Sequence, residues 1–551
     1  MRTTNTAART RRAEVGKPPL KVALAGGLAL ATAILGPFAA QAEAAAPAGL
    51  MDHAAAACAA LQPTQAFSDV ATHLAQIPDA PTSIVSARIV PSERGLPAYC
   101  RVEGQIAPTI GFLMKLPTAA WNGKMMMGGC GGPCGQYLSD RLDPALARRY
   151  AVISTDMGHK GIGWAFAYQN LQGQIDFGSR ATHLTAVVGK ALINTFYAQP
   201  AAFAYFNGCS TGGRQAMVEA QRFPDDFNGI IGGAPPYFET GDTPLFLSWG
   251  ARVNMDSAGK TILDAAKLPM VHRAVMDACD PQHTQDNFLL NPAACKWEPS
   301  ALLCKPGQAA GACLSPAEAD VIRKIYSGAV NSKGRALYFG MPRGSEMEWA
   351  PGFVNFNGLP GNYLSGFGGA GNSIMTYGAY FYSPGATYSE RDFDYDRDPP
   401  RLAVTEALYN AQNPDLRAFK AAGGKLILFH GWNDNQIPVG ASIDYYETAT
   451  RAAGGPEATR SFFRMFLLPG VGHCRGGPGG SEVDWISALE AWVEKGKAPD
   501  QVVTNRMKVD PNATVEIAPG ETLILFPRHP LDPSSVISSR VLPAYAAGGA
   551  H

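Results

Sequence analysis

The sequence predicts an α/β fold with a mostly parallel, doubly wound sheet that a large insertion interrupts. Short apolar runs alternate with helical segments before residue 237 and again after residue 416, as is typical of parallel sheets covered by helices. Between these positions the alternation stops and the segment becomes irregular. Because long irregular stretches often carry function, we predict a lid domain over residues 237–416.

The composition indicates a globular protein and argues against two classes of partner. Hydrophobic residues make up 46% of the 551 residues and charged residues 17%. The 46 basic and 46 acidic residues give a formal net charge of zero. We therefore expect no capture of nucleic acid and no electrostatic binding to an anionic membrane.

The first residues predict an export signal. Five basic residues at positions 9–21 precede an apolar run over residues 22–40, and small residues follow it. A membrane anchor is the alternative, but Gly26, Gly27 and Pro37 interrupt the run, so we favour a signal peptide over residues 1–42. The mature protein is then expected to be periplasmic or extracellular, without stable membrane association. The pair Arg11 and Arg12 is compatible with twin-arginine export, so the sequence does not decide between the Sec and the twin-arginine route.

Export changes the interpretation of the cysteines. An even number of cysteines in an exported chain indicates disulfides, and their spacing does not match a zinc site. The ten are Cys58, Cys100, Cys130, Cys134, Cys209, Cys279, Cys295, Cys304, Cys313 and Cys474. A disulfide between Cys58 and Cys100 could link two parts of the first section of the chain, residues 43–116.

The predicted elements divide the hydrolase-like part of the chain in two. In the first part, residues 43–236, strand patterns fall within 86–116 and at 124–127, 150–155, 203–206 and 227–233, with helices at 181–198 and 214–222. In the second part, residues 417–551, strands are predicted at 425–430 and 462–468. A helix at 416–424 precedes them, another at 483–496 follows, and the tail carries short strand-like runs.

The segment after the predicted strand at 203–206 carries the pattern of a nucleophile elbow. Gly208, Ser210 and Gly212 match G-x-S-x-G, in which a sharp strand-to-helix turn exposes the serine. The pattern alone is weak in a chain with 60 glycines. An apolar run before it and a helix after it supply the required context.

Two further residues complete a candidate triad. Asp434 and His473 each follow a predicted strand, and the order serine, aspartate, histidine is that of the α/β-hydrolase fold. Ser210 would attack an acyl carbon, His473 would carry its proton, and Asp434 would fix the imidazole tautomer. If Ser210 and His473 meet, Cys209 and Cys474 become neighbours that can form a disulfide.

A glycine-rich loop over residues 128–135 follows the strand at 124–127. Its glycines let backbone N–H groups face a ligand, so we predict that the loop supplies an oxyanion-hole donor rather than a simple turn. Cys130 and Cys134 are close enough in sequence to form a disulfide that would stiffen it.

The chain resembles the tannase and feruloyl esterase family of α/β-hydrolases from about residue 58 to residue 496. The motifs that carry the resemblance are GCSTGGR at 208–214, RFP at 222–224, GGAP at 232–235, HGWND at 430–434 and PGVGHCRGGPG at 469–479. The resemblance implies a carboxylic ester hydrolase with the triad Ser210, Asp434 and His473. It also implies oxyanion donors at Gly131 and Thr211. The disulfides it implies are Cys209–Cys474, Cys58–Cys100, Cys279–Cys295 and Cys304–Cys313.

Two positions depart from what the family implies. Family members bind a calcium in the lid through several aspartates after a cysteine; here Asp280 and Asp286 remain, but His283 stands where an acid is expected. This change argues against a structural calcium in the lid. We separately expect that the chemistry requires no cofactor. Residues 371–383 contain no arginine like the one that holds a substrate carboxylate in a terephthalate monoester hydrolase of the family, and Ile437 replaces a phenylalanine.

Three functions compete at this stage. The leading hypothesis is a serine esterase for aromatic esters of feruloyl or galloyl type, since aromatic residues are frequent in the predicted lid. A hydrolase of the same fold could instead act on a terephthalate monoester, a thioester or a peptide. The third is an inactive binding protein, but the presence of all three triad residues argues against it.

Overall fold

A computed structural model describes residues 48–62, 81–161, 163–280, 286–349, 393–507 and 536–547. The predicted signal peptide, residues 1–42, lies outside these ranges. So does most of the aromatic-rich part of the predicted lid, residues 350–392.

A nine-stranded mixed sheet forms the centre of the molecule. Its strands are β1 (Thr82–Val90), β2 (Tyr99–Ile106), β3 (Ile110–Pro117), β4 (Lys124–Gly128), β5 (Ala151–Thr155), β6 (Phe203–Cys209), β7 (Gly229–Gly233), β8 (Lys425–Gly431) and β9 (Phe463–Leu468). The order across the sheet is β1-β2-β3-β5-β4-β6-β7-β8-β9. Pairs from β1 through β3 to β5 are antiparallel, and pairs from β5 to β9 are parallel. A separate antiparallel pair joins β10 (Gln501–Met507) and β11 (Val536–Pro543).

The burial of the strands explains why their sequences are apolar. Every residue of β3, β5 and β7 is buried, as expected for strands covered on both faces. The edge strand β1 has mixed burial, and its Val85 and Ile89 are exposed. The predicted mostly parallel sheet is confirmed.

Helices fill the connections between strands. They are α1 (Ala48–Ala60), α2 (Asp143–Ala147), α3 (Leu171–Ile175), α4 (Ala181–Tyr197), α5 (Thr211–Arg222), α6 (Leu247–Val253), α7 (Leu268–Cys279), α8 (Pro316–Ser327), α9 (Ala403–Tyr409), α10 (Arg417–Ala421), α11 (Val439–Ala452), α12 (Pro456–Arg460) and α13 (Trp485–Lys495). Single 3₁₀ turns occur at Ser139–Leu142, Trp164–Ala167, Ala265–Lys267, Pro292–Ala294, Pro299–Leu302, Ala310–Ala312, Glu346–Glu348 and Pro399–Leu402, and π turns at Asp176–Arg180 and Gly241–Phe246. None of the helices in the described ranges is both long and apolar enough to cross a membrane.

The core divides between the two faces of the sheet. Along β4, Met125 and Met127 belong to one buried cluster, which includes residues of α4, α5 and α11. Met126 belongs to the second cluster, where α2 and α13 pack. Successive strand residues point to opposite faces, so this alternation places helices on both sides of the sheet. The doubly wound arrangement is thus present.

Five disulfides join the ten cysteines. Cys209–Cys474 has a Cα–Cα distance of 6.0 Å, and the other pairs are Cys58–Cys100, Cys130–Cys134, Cys279–Cys295 and Cys304–Cys313. Cys279–Cys295 and Cys304–Cys313 lie within the predicted lid. This density of disulfides is typical of exported proteins.

Candidate active site

Ser210 occupies a sharp turn between β6 and α5. Its backbone angles are φ 64° and ψ −126°, a conformation that costs a non-glycine residue about 1–3 kcal/mol. Two backbone hydrogen bonds hold the turn: the Ser210 N–H donates to the Gly233 carbonyl at 3.0 Å, and the Arg214 N–H donates to the Ser210 carbonyl at 3.0 Å. The predicted elbow is therefore present as a strained strand-to-helix turn.

The glycines around Ser210 are required by close backbone contacts. A Cβ on Gly208 would lie 2.6 Å from the Gly212 carbonyl oxygen, and a Cβ on Gly213 would lie 2.1 Å from the Gly233 oxygen. Real side chains do not approach backbone this closely, so α5 can pack against β6 and β7 only without these atoms. α5 begins at Thr211, three residues before the predicted start at Arg214. The close packing of its first turn against the two strands favours this earlier start.

Gly213→Ala should therefore lower the free energy of unfolding by about 3 kcal/mol or more, because backbone must move to admit the methyl group. Urea unfolding of purified protein measures this. Gly311→Ala is the matched control, since no atom lies within 4 Å of a Cβ at that position. Equal stability of the two variants would contradict the assigned packing.

Asp434 lies in the loop after β8 and its side chain is fully buried. Its Oδ1 accepts the backbone N–H groups of Gln436 at 2.9 Å and Ile437 at 3.0 Å, and its Oδ2 lies 2.8 Å from His473 Nδ1. Burial alone would raise the pKa of Asp434, but the charge of His473 and hydrogen bonds from both neighbouring histidines lower it below its ordinary value. The carboxylate is thus held ionised and fixed in direction.

The second neighbouring histidine is His430, at the end of β8. Its ring is fully buried, with Nδ1 2.8 Å from Ser442 Oγ and Nε2 2.9 Å from the Ile437 carbonyl oxygen. Nε2 also lies 3.2 Å from Asp434 Oδ2. His430 therefore packs directly against the candidate acid.

The loop that carries His473 is fastened to the end of β8. The Asn433 N–H donates to the Val471 carbonyl at 2.9 Å, and a Cβ on Gly431 would lie 2.2 Å from that same oxygen. His473 is 13% exposed, so its ring can reach substrate while Asp434 remains buried. The disulfide Cys209–Cys474 joins the residue before Ser210 to the residue after His473.

The glycine-rich loop after β4 lies against the start of α5. The Gly212 N–H donates to the Cys130 carbonyl at 2.8 Å, and Thr211 Oγ1 donates to the Gly132 carbonyl at 2.7 Å. In the described ranges, the N–H groups of Gly131 and Thr211 make no hydrogen bond. These two donors are therefore available to an oxygen of a bound molecule.

Part of the predicted lid contacts the loop of the candidate acid. Asn433 Nδ2 donates to the Gly344 carbonyl at 3.1 Å, and Asn435 Nδ2 donates to the Glu348 carbonyl at 3.0 Å. Between these carbonyls, Glu346 accepts from Tyr326 at 2.7 Å and lies 2.8 Å from His272. Sequence reasoning did not identify these asparagines, which only the folded arrangement brings beside the predicted lid.

One of the two aspartates considered as calcium ligands, Asp286, already has a charged partner. The carboxylate of Asp286 forms an ion pair with Arg540 of β11, so that charge is already compensated. Within the described ranges no cluster of three or more potential metal ligands occurs. Residues 281–285, between Asp280 and Asp286, lie outside those ranges. The absence of calcium therefore stays a prediction.

Comparisons with known proteins agree with the geometry. The family model described as "Tannase and feruloyl esterase" matches residues 95–534. An uncharacterised esterase of Xanthomonas campestris is 33% identical over 83% of this chain and 85% of its own length. The mono(2-hydroxyethyl) terephthalate hydrolase of Piscinibacter sakaiensis is 30% identical, over 75% of this chain and 79% of its own. The crystal structure of feruloyl esterase B from Aspergillus oryzae superposes with a TM-score of 0.70 and 26% identity, covering 87% of this chain and 96% of that one.

Proposed function

Because the chain belongs to the tannase and feruloyl esterase family and is a carboxylic ester hydrolase, we propose that it cleaves aromatic esters with Ser210, His473 and Asp434 as its triad. The observation that carries the proposal is the arrangement of the three loops. Asp434 lies 2.8 Å from His473 Nδ1, and the Cys209–Cys474 disulfide ties the histidine loop to the serine elbow.

Acylation would begin at Ser210. His473 Nε2 accepts the hydroxyl proton while Oγ attacks the ester carbonyl carbon, and the carbonyl π electrons move onto oxygen. The N–H groups of Gly131 and Thr211 are the proposed donors to that oxyanion. As the tetrahedral intermediate collapses, the alcohol leaves with the proton from His473, and Ser210 carries the acyl group.

Deacylation would repeat these steps with water. His473 takes a proton from water, the resulting hydroxide attacks the acyl carbon, and Ser210 leaves with the proton returned by His473. Throughout, Asp434 holds Nδ1–H of the ring and so keeps Nε2 free to exchange protons. No metal takes part in any of these steps.

Relatives support an aromatic acid as the acyl part. The similar structure is a feruloyl esterase, and a curated relative acts on a terephthalate monoester. A feruloyl- or galloyl-type ester is therefore our first candidate, and a terephthalate monoester is the second because of that relative.

Initial rates on four esters test the proposal. Methyl ferulate, methyl gallate, mono(2-hydroxyethyl) terephthalate and p-nitrophenyl acetate would be compared with wild-type protein and a Ser210→Ala variant. We expect serine-dependent kcat/KM on at least one aromatic ester to exceed that on the acetate by about tenfold or more. Activity on the acetate alone would discard the aromatic specificity, and no activity on all four would discard the proposed function.

Removal of the disulfide next to the triad should slow the reaction. In Cys209→Ala/Cys474→Ala, the histidine loop loses its covalent tie to the elbow, and we expect kcat to fall by about tenfold or more because alignment is lost. The matched control is Cys304→Ala/Cys313→Ala, which removes a lid disulfide between residues nine positions apart. Equal kcat in both double variants would contradict a role for the first disulfide in alignment.

We also propose that the protein acts in the periplasm or outside the cell. The five disulfides support this location, because such bonds persist in oxidising compartments.

A further inference from the structure

Gln215 connects the helix after the nucleophile to the glycine-rich loop. It lies in α5, and its side chain is buried. Its Oε1 accepts the backbone N–H of Cys130 at 3.0 Å. Cys130 directly precedes Gly131, one of the two proposed oxyanion donors. No step of the proposed mechanism uses Gln215, so its buried amide requires a separate explanation.

Cys130 is hydrogen-bonded on both sides of its Cα atom. Its N–H donates to Gln215, and its carbonyl accepts the Gly212 N–H at 2.8 Å. These bonds hold the peptide planes before and after Cα, and so they restrain both backbone torsion angles of Cys130. Because a trans peptide unit is planar, the Gly131 N–H points away from the Cys130 carbonyl. The direction of that donor is therefore set by two bonds to α5.

The second proposed donor depends on the same helix. Thr211 is its first residue, and the Arg214 N–H holds the peptide unit before it by donating to the Ser210 carbonyl at 3.0 Å. One helix therefore places the nucleophile and Thr211 directly, and the Gly131 N–H through its contacts with the loop. Oxyanion donors lower the barrier because they are already aligned when charge develops, so their direction matters for the rate.

The surroundings of the Gln215 amide direct its oxygen towards the loop. Its Nε2 donates to Thr182 Oγ1, on α4, at 2.8 Å and lies 3.0 Å from Met157 Sδ, after β5. A reversed amide would place its NH₂ group against the Cys130 N–H, donor against donor. Three segments of the chain thus hold this side chain in one orientation.

We infer that Gln215 is a positioning residue for ester hydrolysis, because through Cys130 it holds the Gly131 N–H in the direction that an oxyanion requires. The inference rests on the proposed esterase function and adds a residue to it. Gln215 itself does not contact the reacting atoms. A side chain that only filled buried space would have different kinetic consequences, which a substitution can reveal.

Gln215→Met changes size little, because methionine is also unbranched, but it has no strong acceptor. The Cys130 N–H loses its partner, and the peptide unit that carries the Gly131 N–H can turn. Complete loss of one oxyanion donor costs about 10²–10³ in kcat, so a misdirected donor should cost about tenfold or more. KM should stay within about threefold of wild type, since the donor acts mainly on the transition state.

Gln221→Met is the matched control from the same helix. Gln221 lies near the other end of α5, and its Nε2 donates to the Ala411 carbonyl at 2.6 Å and to Tyr445 Oη at 2.8 Å. The substitution removes side-chain hydrogen bonds from α5 at a distance from the glycine-rich loop. We therefore expect kcat to stay near the wild-type value.

An ester and its thiono analogue separate positioning from a loss of folded protein. In the analogue, sulfur replaces the carbonyl oxygen and is a weaker acceptor, so aligned N–H donors help it less. The panel ester that the wild type hydrolyses fastest would be paired with its analogue. Their kcat/KM ratio does not depend on the fraction of folded enzyme. Gln215→Met should lower this ester-to-thionoester ratio by about tenfold, and Gln221→Met should leave it unchanged.

Thermal unfolding shows whether the variants fold. If Gln215→Met does not fold, Thr182→Val removes the partner that directs the amide and should lower the same ratio by about threefold. An unchanged ratio in the folded variant, or a ratio that falls equally in Gln221→Met, would overturn the inference alone. Absence of Ser210-dependent hydrolysis of all four panel esters would overturn the proposed function and the inference with it.

Discussion

Ser210→Ala should lower kcat on any accepted ester by about four orders of magnitude or more. The alanine side chain has no oxygen to form the acyl-enzyme, so the remaining rate would come from water attacking an ester bound near the oxyanion donors. Alanine removes a single oxygen atom, and the turn between β6 and α5 retains its backbone hydrogen bonds to Gly233 and Arg214. We therefore expect KM and thermal stability to change little.

Steady-state kinetics with a sensitive product assay measures this loss, and acyl-enzyme trapping by mass spectrometry gives an independent readout. Ser461→Ala is the control: Ser461 is exposed and its Oγ donates to the Ala458 carbonyl at 2.7 Å, away from the three loops of the site. A kcat near the wild-type value in Ser210→Ala would exclude Ser210 as the nucleophile. Binding of ester without turnover in the wild type would favour an inactive binding protein.

The sequence predicted the structure best where a residue pattern is compatible with only one type of element. Continuous apolar runs such as 425–430 and 150–155 predicted buried parallel strands, and both are present as β8 and β5. Helices at 181–198 and 483–496 also formed, as α4 and α13. Membership in the tannase and feruloyl esterase family and the ester hydrolase class are confirmed.

Helix boundaries were harder where packing outweighs local preference. Thr211, Gly212 and Gly213 are poor helix formers, so propensity placed the start of α5 at Arg214, whereas close contact with β6 and β7 starts it at Thr211. No element was predicted for α11. Its buried face consists of small and polar-tipped residues such as Ala441, Tyr445 and Ala449, which give little contrast with its exposed face.

Individual side-chain contacts around the site were not predicted, although the disulfide Cys209–Cys474 between distant segments was. The sequence identified Asp434 and His473, but not the approach of His430 to Asp434 or of Arg141 to Gly131. Each of these contacts depends on a side-chain rotamer and a local loop conformation that sequence spacing alone does not determine. The same holds for Asp286, whose partner Arg540 lies 254 residues away in the chain.

The surroundings of Asp434 make Asp434→Asn the most informative variant after the serine. Oδ1 accepts two backbone N–H groups, from Gln436 and Ile437, which a carbonyl oxygen can accept but an NH₂ group cannot. The asparagine must therefore place its oxygen there and direct its NH₂ group at His473 Nδ1. That nitrogen would then have to accept a hydrogen bond, so the proton of the neutral ring moves to Nε2.

With the proton on Nε2, His473 cannot take the proton of Ser210, and we expect kcat to fall by about three to four orders of magnitude. Asp444→Asn is the matched control, because Asp444 is exposed on α11 shortly after the same loop. The steady-state kcat of both variants, with thermal unfolding to verify folding, measures the effect. Because the tautomer explanation concerns proton transfer and not binding, KM should stay within about threefold of wild type. A folded Asp434→Asn enzyme with wild-type kcat would show that the carboxylate does not orient the base, and that the Asp434–His473 contact is structural only.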